Sequence, residues 1–125
     1  MTLQSLQSKN LSLLFRLAYT NNIDMITMST LGNCADFGDM LFSPGQTGGA
    51  SNAVRGIFSG DTSINYVTIA TLGNATDFGD LSNAQEYCSN AASPTRVVLA
   101  AGRAHPNTNN VVEYIQIAST GNPID

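Results

Sequence analysis

The chain has little charge. Asp, Glu, Lys and Arg together make up 11% of its 125 residues, against about a quarter in ordinary globular domains. Only five residues are basic and the formal net charge is −4, so no electrostatic footprint for nucleic acid or for an anionic lipid surface is present. Tryptophan is absent. Long apolar runs are missing too: the longest, Leu11 to Ala18, is broken by Arg16 and is far too short to span a bilayer. It has neither a basic segment before it nor a cleavage signal after it, so the expectation is a protein made in the cytoplasm without a signal peptide. There are two cysteines. They fall at unrelated repeat positions, Cys34 opposite Ala75 and Cys88 opposite Thr47, and they read as reduced, buried small side chains. With one histidine, His105, and no Cys or Glu at ligand spacing, neither a zinc site nor a catalytic triad is legible. The expectation is no cofactor and no metal.

What replaces charge is Ser, Thr, Asn, Gln and Gly, a composition suited to short strands, tight turns and exposed β surface. These residues are organised by a repeat. Thr30-Leu31-Gly32-Asn33-Cys34-Ala35-Asp36-Phe37-Gly38-Asp39 recurs as Thr71-Leu72-Gly73-Asn74-Ala75-Thr76-Asp77-Phe78-Gly79-Asp80, identical at eight of ten positions. A third, truncated copy runs from Ile117 to Asp125. Gly32 to Gly73 is 41 residues and Gly73 to Gly121 is 48, within the roughly 40 to 50 residues of a β-propeller blade.

Strand signals recur in phase with the repeat. Ile23 to Ser29, Ile64 to Ala70 and Val111 to Ser119 alternate apolar with polar residues and end at a Gly-Asn turn, which reads as half-buried antiparallel strand. A short extended piece with one aromatic follows (Asp36 to Leu41, Asp77 to Leu81), blunted by charge as edge strands are. Next comes a Ser/Gly/Asn-rich stretch (Pro44 to Asn52, Asn83 to Ser93), then an apolar strand opened by Arg55 or Arg96. That makes four strand signals per repeat. Residues 1–21 form a degenerate partial blade, 22–62 and 63–110 two repeats, and 111–125 a further partial blade. In the degenerate part Met1 to Ser8 reads as strand, with an amphipathic capping helix over Leu3 to Leu17 as the alternative. The additional residues of the second interval fall in an expected exposed hairpin loop, Ala104 to Asn109.

The run Ile64 to Leu81, and above all Gly-Asn-x-x-Asp-Phe-Gly-Asp, resembles the Kelch-like β-propeller repeats of phage tail-fibre and other virion-associated proteins. The resemblance covers about Asn22 to Asp125. Typical Kelch repeats carry a Gly-Gly pair and a Trp; here Ser59-Gly60 and Ala101-Gly102 stand at the first and no Trp exists. It implies an all-β fold of four-stranded antiparallel blades, about three per chain, and a virion-associated role in binding a host-surface glycan or another virion protein. Counting blades then suggests a homodimer closing a six-bladed ring, since three blades are fewer than a propeller needs.

Several residues are candidates for function. Asp36 with Asp39, and Asp77 with Asp80, could ligate calcium or act as a glycosidase acid pair. Against both, neither chemistry requires identical recurrence, and the recurrence fits Asp36 and Asp77 capping turns while Phe37 and Phe78 pack between blades. Arg55 and Arg96, at one repeat position, are expected to pair with the repeat's carboxylates. Tyr66, Tyr87 and Tyr114 could stack on a sugar, or lie buried in strands, and His105 is expected to be exposed. Three classes remain: a structural or adhesive module, a glycan-binding propeller, and, least favoured, an enzyme, for which an asymmetric constellation is missing.

Overall fold

The computed structural model describes residues 2–5, 12–16, 20–29, 32–42, 47–104 and 106–125. No described residue is helical. The first sheet is built in chain order from β1 (Thr2–Ser5), β2 (Ser12–Arg16), β3 (Asn22–Thr27) and β4 (Ala35–Asp39), all antiparallel. The second contains β5 (Gly48–Ser51), β6 (Arg55–Thr68) and β7 (Thr76–Gln85), and the third β8 (Ser89–Ala92), β9 (Arg96–Ala104) and β10 (Asn107–Gln116). The protein is therefore all-β, as its composition and alternation suggest.

β6 is two strands in one. Fully extended, eleven residues would separate Arg55 from Tyr66 by roughly 35 Å, yet the Arg55 guanidinium lies 4.5 Å from the centre of the Tyr66 ring. The chain doubles back at Gly60-Asp61, where Asp61 takes φ = 54°, and Ile69 N donates to Val54 O across the hairpin (2.9 Å). The third sheet does the same with the separate strands β9 and β10: Ile117 N donates to Thr95 O (2.9 Å) and Tyr114 pairs with Ile124, at the repeat position where Tyr66 pairs with Thr76. All three sheets thus follow one up-and-down course.

The sheets run over residues 2–39, 48–85 and 89–124, offset from the 22–62 and 63–110 frame of the sequence repeat. The N-terminal segment without Gly and Arg landmarks is strand in β1 and β2, hydrogen-bonded within its own sheet to β3, because a ladder is made by backbone groups and needs neither landmark. The strand pairs of residues 111–116 lie with β9. The longer second interval lengthens the β9–β10 hairpin and is absorbed by a register shift between Asn109 and Val112. The loop expected over Ala104 to Asn109 is instead mostly strand, since β9 runs to Ala104 and β10 begins at Asn107, paired with Ala104, because the added residues extend the ladder. Pro106 in the tight turn is exposed, and His105 lies outside the described residues.

First strands converge, β1 lying against β5 and β5 against β8. β5 and β8 are rich in small residues, and a side chain at Gly48 would meet the Asn90 carboxamide at 2.8 Å. Two apolar cores fill the spaces between sheets. One joins Ile23, Phe37 and Met40 of the first sheet to Phe58, Val67 and Ala75 of the second. The other joins Ala50, Ile57, Ile64, Phe78 and Leu81 of the second to Val97, Leu99, Ile115 and Ile117 of the third. Phe37 and Phe78 pack between sheets, where their recurrence in the repeat places them.

Candidate functional site

The most conspicuous sequence signature is the joint between sheets. After Phe37, Gly38 lies against the Gly73 turn so closely that a β-carbon would strike the turn's carbonyl. Gly73 N donates to Phe37 O (2.9 Å), Ala75 N donates to Asp39 O (2.7 Å), and Asp39 N donates to Asn74 Oδ1 (3.0 Å). One repeat on, Gly121 N donates to Phe78 O (2.8 Å) and Asp80 N to Asn122 Oδ1 (3.0 Å). The expected roles are thus reversed. Asp36 and Asp77 are exposed, and among the described residues no hydrogen bond reaches their carboxylates; the cap is the asparagine side chain of the next sheet, and the aspartates following each Gly serve through their backbone.

Further bonds reinforce the joint. Asn65 Oδ1 accepts from Leu41 N (3.1 Å), and Glu113, at the repeat position of Asn65, accepts through Oε1 from Ser82 N (3.2 Å). Both are buried. Its second oxygen, Glu113 Oε2, is buried without a partner, as are Gln85 Nε2 and Asn90 Oδ1. Asn52 Nδ2 reaches Pro94 O (2.9 Å) and Asn90 Nδ2 reaches Ser59 Oγ (2.8 Å).

The arginines pair with rings and carbonyls rather than with carboxylates. Arg55 stacks on Tyr66 and donates through Nη1 to Ile117 O of the next sheet (2.7 Å), while Arg96 lies 4.8 Å from the Tyr114 ring centre; with the Gln116 carboxamide assigned so that its neighbours are satisfied, its oxygen accepts from Arg96 Nε (3.0 Å). A planar cation fits both a π face and a carbonyl, and among the described residues neither arginine pairs with a carboxylate. Tyr66 is further fixed edge-on to Phe78 (5.9 Å) and does not offer a free face. Tyr114 is half-buried. Tyr87 is 56% exposed and held at φ = 59°. The three tyrosines do not form one site. Cys88 is buried, as expected, and loss of solvation pushes its thiol up from 9.0, with a hydrogen bond from Ser59 opposing. Cys34 is exposed, against expectation, because it lies on the outer face of the first sheet. Among the described residues no group of three His, Cys, Asp or Glu side chains converges.

The outer faces of the first and third sheets carry exposed copies of residues that are buried inside the joints. On the outer face of the third sheet Val98 is 38% and Val112 52% exposed, whereas Ile57 and Ile64, at the same repeat positions of the second sheet, are both 0% exposed. On the outer face of the first sheet Cys34 is exposed where Ala75 is buried, and Ile26 is partly exposed where Val67 is buried. The signal for these faces was in the repeat alignment, but only burial shows which copy lacks its neighbour. No protein-family model matches the chain, and no curated protein matches it.

Proposed function

We propose that the chain is a Kelch-like β-propeller module with a non-enzymatic, virion-associated role as a structural or adhesive part of a phage tail, and that two copies close a six-bladed ring. The observation that carries the association is the pair of open end faces. The outer face of the third sheet repeats the Ile57/Ile64 half of an internal joint with Val98 and Val112, and the outer face of the first sheet repeats the Val67/Ala75 half with Ile26 and Cys34. Two complementary halves on one molecule give a heterologous contact, which closes if the rotation per sheet allows it. Three sheets per chain make six in a pair, inside the range of about four to eight blades, whereas three copies would make nine. The converging first strands favour a fan around an axis.

The repeated run favours a structural role, since the backbone of Phe37-Gly38-Asp39 and of Phe78-Gly79-Asp80 makes the bonds between sheets. The virion setting rests on the resemblance of the Gly-Asn-x-x-Asp-Phe-Gly-Asp run. Fractionation tests it: tryptic peptides of the chain should appear in density-gradient-purified particles from the source culture, and finding them only in the soluble fraction would overturn it. A glycan-binding role is the second reading, favoured by the exposed ring of Tyr87, an amphipathic platform of the kind sugars stack on. A glycan array separates the two: a hit that Tyr87→Ala abolishes supports the second, and silence across the array removes it.

A further inference from the structure

We propose that the outer face of the first sheet is a docking site for an extended segment of the form Asp-Phe-Gly-Asp presented by another chain. Met25, Ile26, Thr27, Gly32, Asn33 and Ala35 line an open depression there. One repeat later the equivalent turn and strand, Gly73-Asn74-Ala75 with Val67, receive Phe37-Gly38-Asp39. The filling is specific at the level of atoms: Gly73 N to Phe37 O, Ala75 N to Asp39 O, Asp39 N to Asn74 Oδ1, with the Phe37 ring buried against Val67 and Ala75. The third sheet binds Phe78-Gly79-Asp80 through Gly121 N and Asn122 Oδ1 in the same way.

The same surface therefore holds the same segment twice within the chain. The first sheet carries the equivalent groups: the Gly32 and Cys34 backbone N–H, the Asn33 carboxamide, which is exposed, and Ile26 and Cys34 in place of Val67 and Ala75. Backbone bonds fix the direction of the incoming strand, and an aromatic anchor fixes its register, as when a strand is added in trans. The glycine after the aromatic is required as well. Gly79 sits at φ = +157° and a β-carbon on it would lie 2.5 Å from Gly121 O, so only a segment with glycine there can approach. A charged or bulky residue at that place is excluded by the turn itself. The inference does not rest on ring closure, which reads as a mass, whereas docking reads as binding of a peptide.

The test uses the full chain carrying Val112→Glu, in which no second copy covers the first-sheet face, and a fluorescein-labelled peptide with the sequence of residues 75–82, Ala-Thr-Asp-Phe-Gly-Asp-Leu-Ser. Fluorescence polarisation should show saturable binding. Replacing the peptide's Gly by Ala, or its Phe by Ala, should weaken binding by about tenfold or more, each factor of ten being about 1.4 kcal/mol. Asn33→Ala in the chain should weaken it comparably with the circular dichroism spectrum unchanged. Position 34 supplies a second readout. Because the docked counterpart Ala75 is 5% exposed, saturating peptide should slow alkylation of Cys34 while buried Cys88 serves as the internal reference. The proposal is overturned by no saturable binding at millimolar peptide, by equal binding of the Gly→Ala peptide, or by binding that leaves Cys34 alkylation unchanged.

Discussion

Gly79→Ala should be among the most damaging single-methyl additions in this protein. The added carbon would lie 2.5 Å from Gly121 O, 2.7 Å from Gly121 C and 3.0 Å from Asn122 N. All three are backbone atoms, so no side chain can swing away. Relief requires the second and third sheets to part until the closest contact reaches the ordinary 3.4 Å. Such a shift weakens the Gly121 N to Phe78 O and Asp80 N to Asn122 Oδ1 bonds, each contributing about 1 kcal/mol net, and overpacking costs a further 1 to 3 kcal/mol or so. With backbone strain of about 1 to 2 kcal/mol for alanine at φ = +157°, the sum is about 4 to 7 kcal/mol, a large part of a typical domain's stability. Gly121→Ala is the matched control: it too has positive φ, +143°, but its added carbon meets nothing within 4 Å, leaving only backbone strain of about 1 to 2 kcal/mol. With a urea m-value of about 2 kcal/mol/M, the unfolding midpoint should fall by about 2 to 3.5 M for Gly79→Ala and by about 1 M or less for Gly121→Ala. Equal shifts would refute the claim that close approach between sheets is what demands glycine at position 79.

The repeat offers two more paired comparisons, and burial of Cys88 adds a pH dependence. Ile64→Glu puts a charge in a fully buried site and should unfold the chain, whereas Val112→Glu, at the same repeat position on the open face, should keep the circular dichroism spectrum and abolish self-association. Arg55→Met removes a charged hydrogen bond to Ile117 O and a cation–π contact, and thermal denaturation should show a loss of about 2 to 3 kcal/mol; the exposed Arg96 should cost under about 1 kcal/mol on the same change. Burial raises the Cys88 thiol above 9.0, so the folded chain holds that proton more tightly than the unfolded one. The associated stability is complete below pH 9.0 and declines as pH rises toward the folded value, and Cys88→Ala should remove that part of the alkaline slope in pH-dependent urea unfolding.

The strand phase, the all-β class and the packing of Phe37 and Phe78 between sheets were legible because they follow from alternation and from recurrence. Other features depend on what lies across a gap. The sequence shows Asn74 and Asp39 as two polar residues 35 apart; only the fold puts the asparagine carboxamide on the aspartate's backbone N–H, so the carboxylate drew the assignment that belonged to the amide. Arg55 was expected to seek a carboxylate by charge, but hairpin geometry places Tyr66 under it, and a ring leaves its donors free to reach Ile117 O. Cys34 and Ala75 occupy one repeat position, and identical local sequence cannot tell a covered copy from an uncovered one. The first sheet lacked landmarks because a backbone ladder does not require them.

The central claim is that the two outer faces are halves of the joint already made twice inside the chain, and mass in solution tests it most directly. Light scattering coupled to size exclusion at micromolar concentration should give twice the 13.2 kDa chain mass, and Val112→Glu should return it to the single-chain value. A folded wild-type chain that stays at 13.2 kDa up to hundreds of micromolar would contradict the claim, as would a dimer whose mass Val112→Glu leaves unchanged.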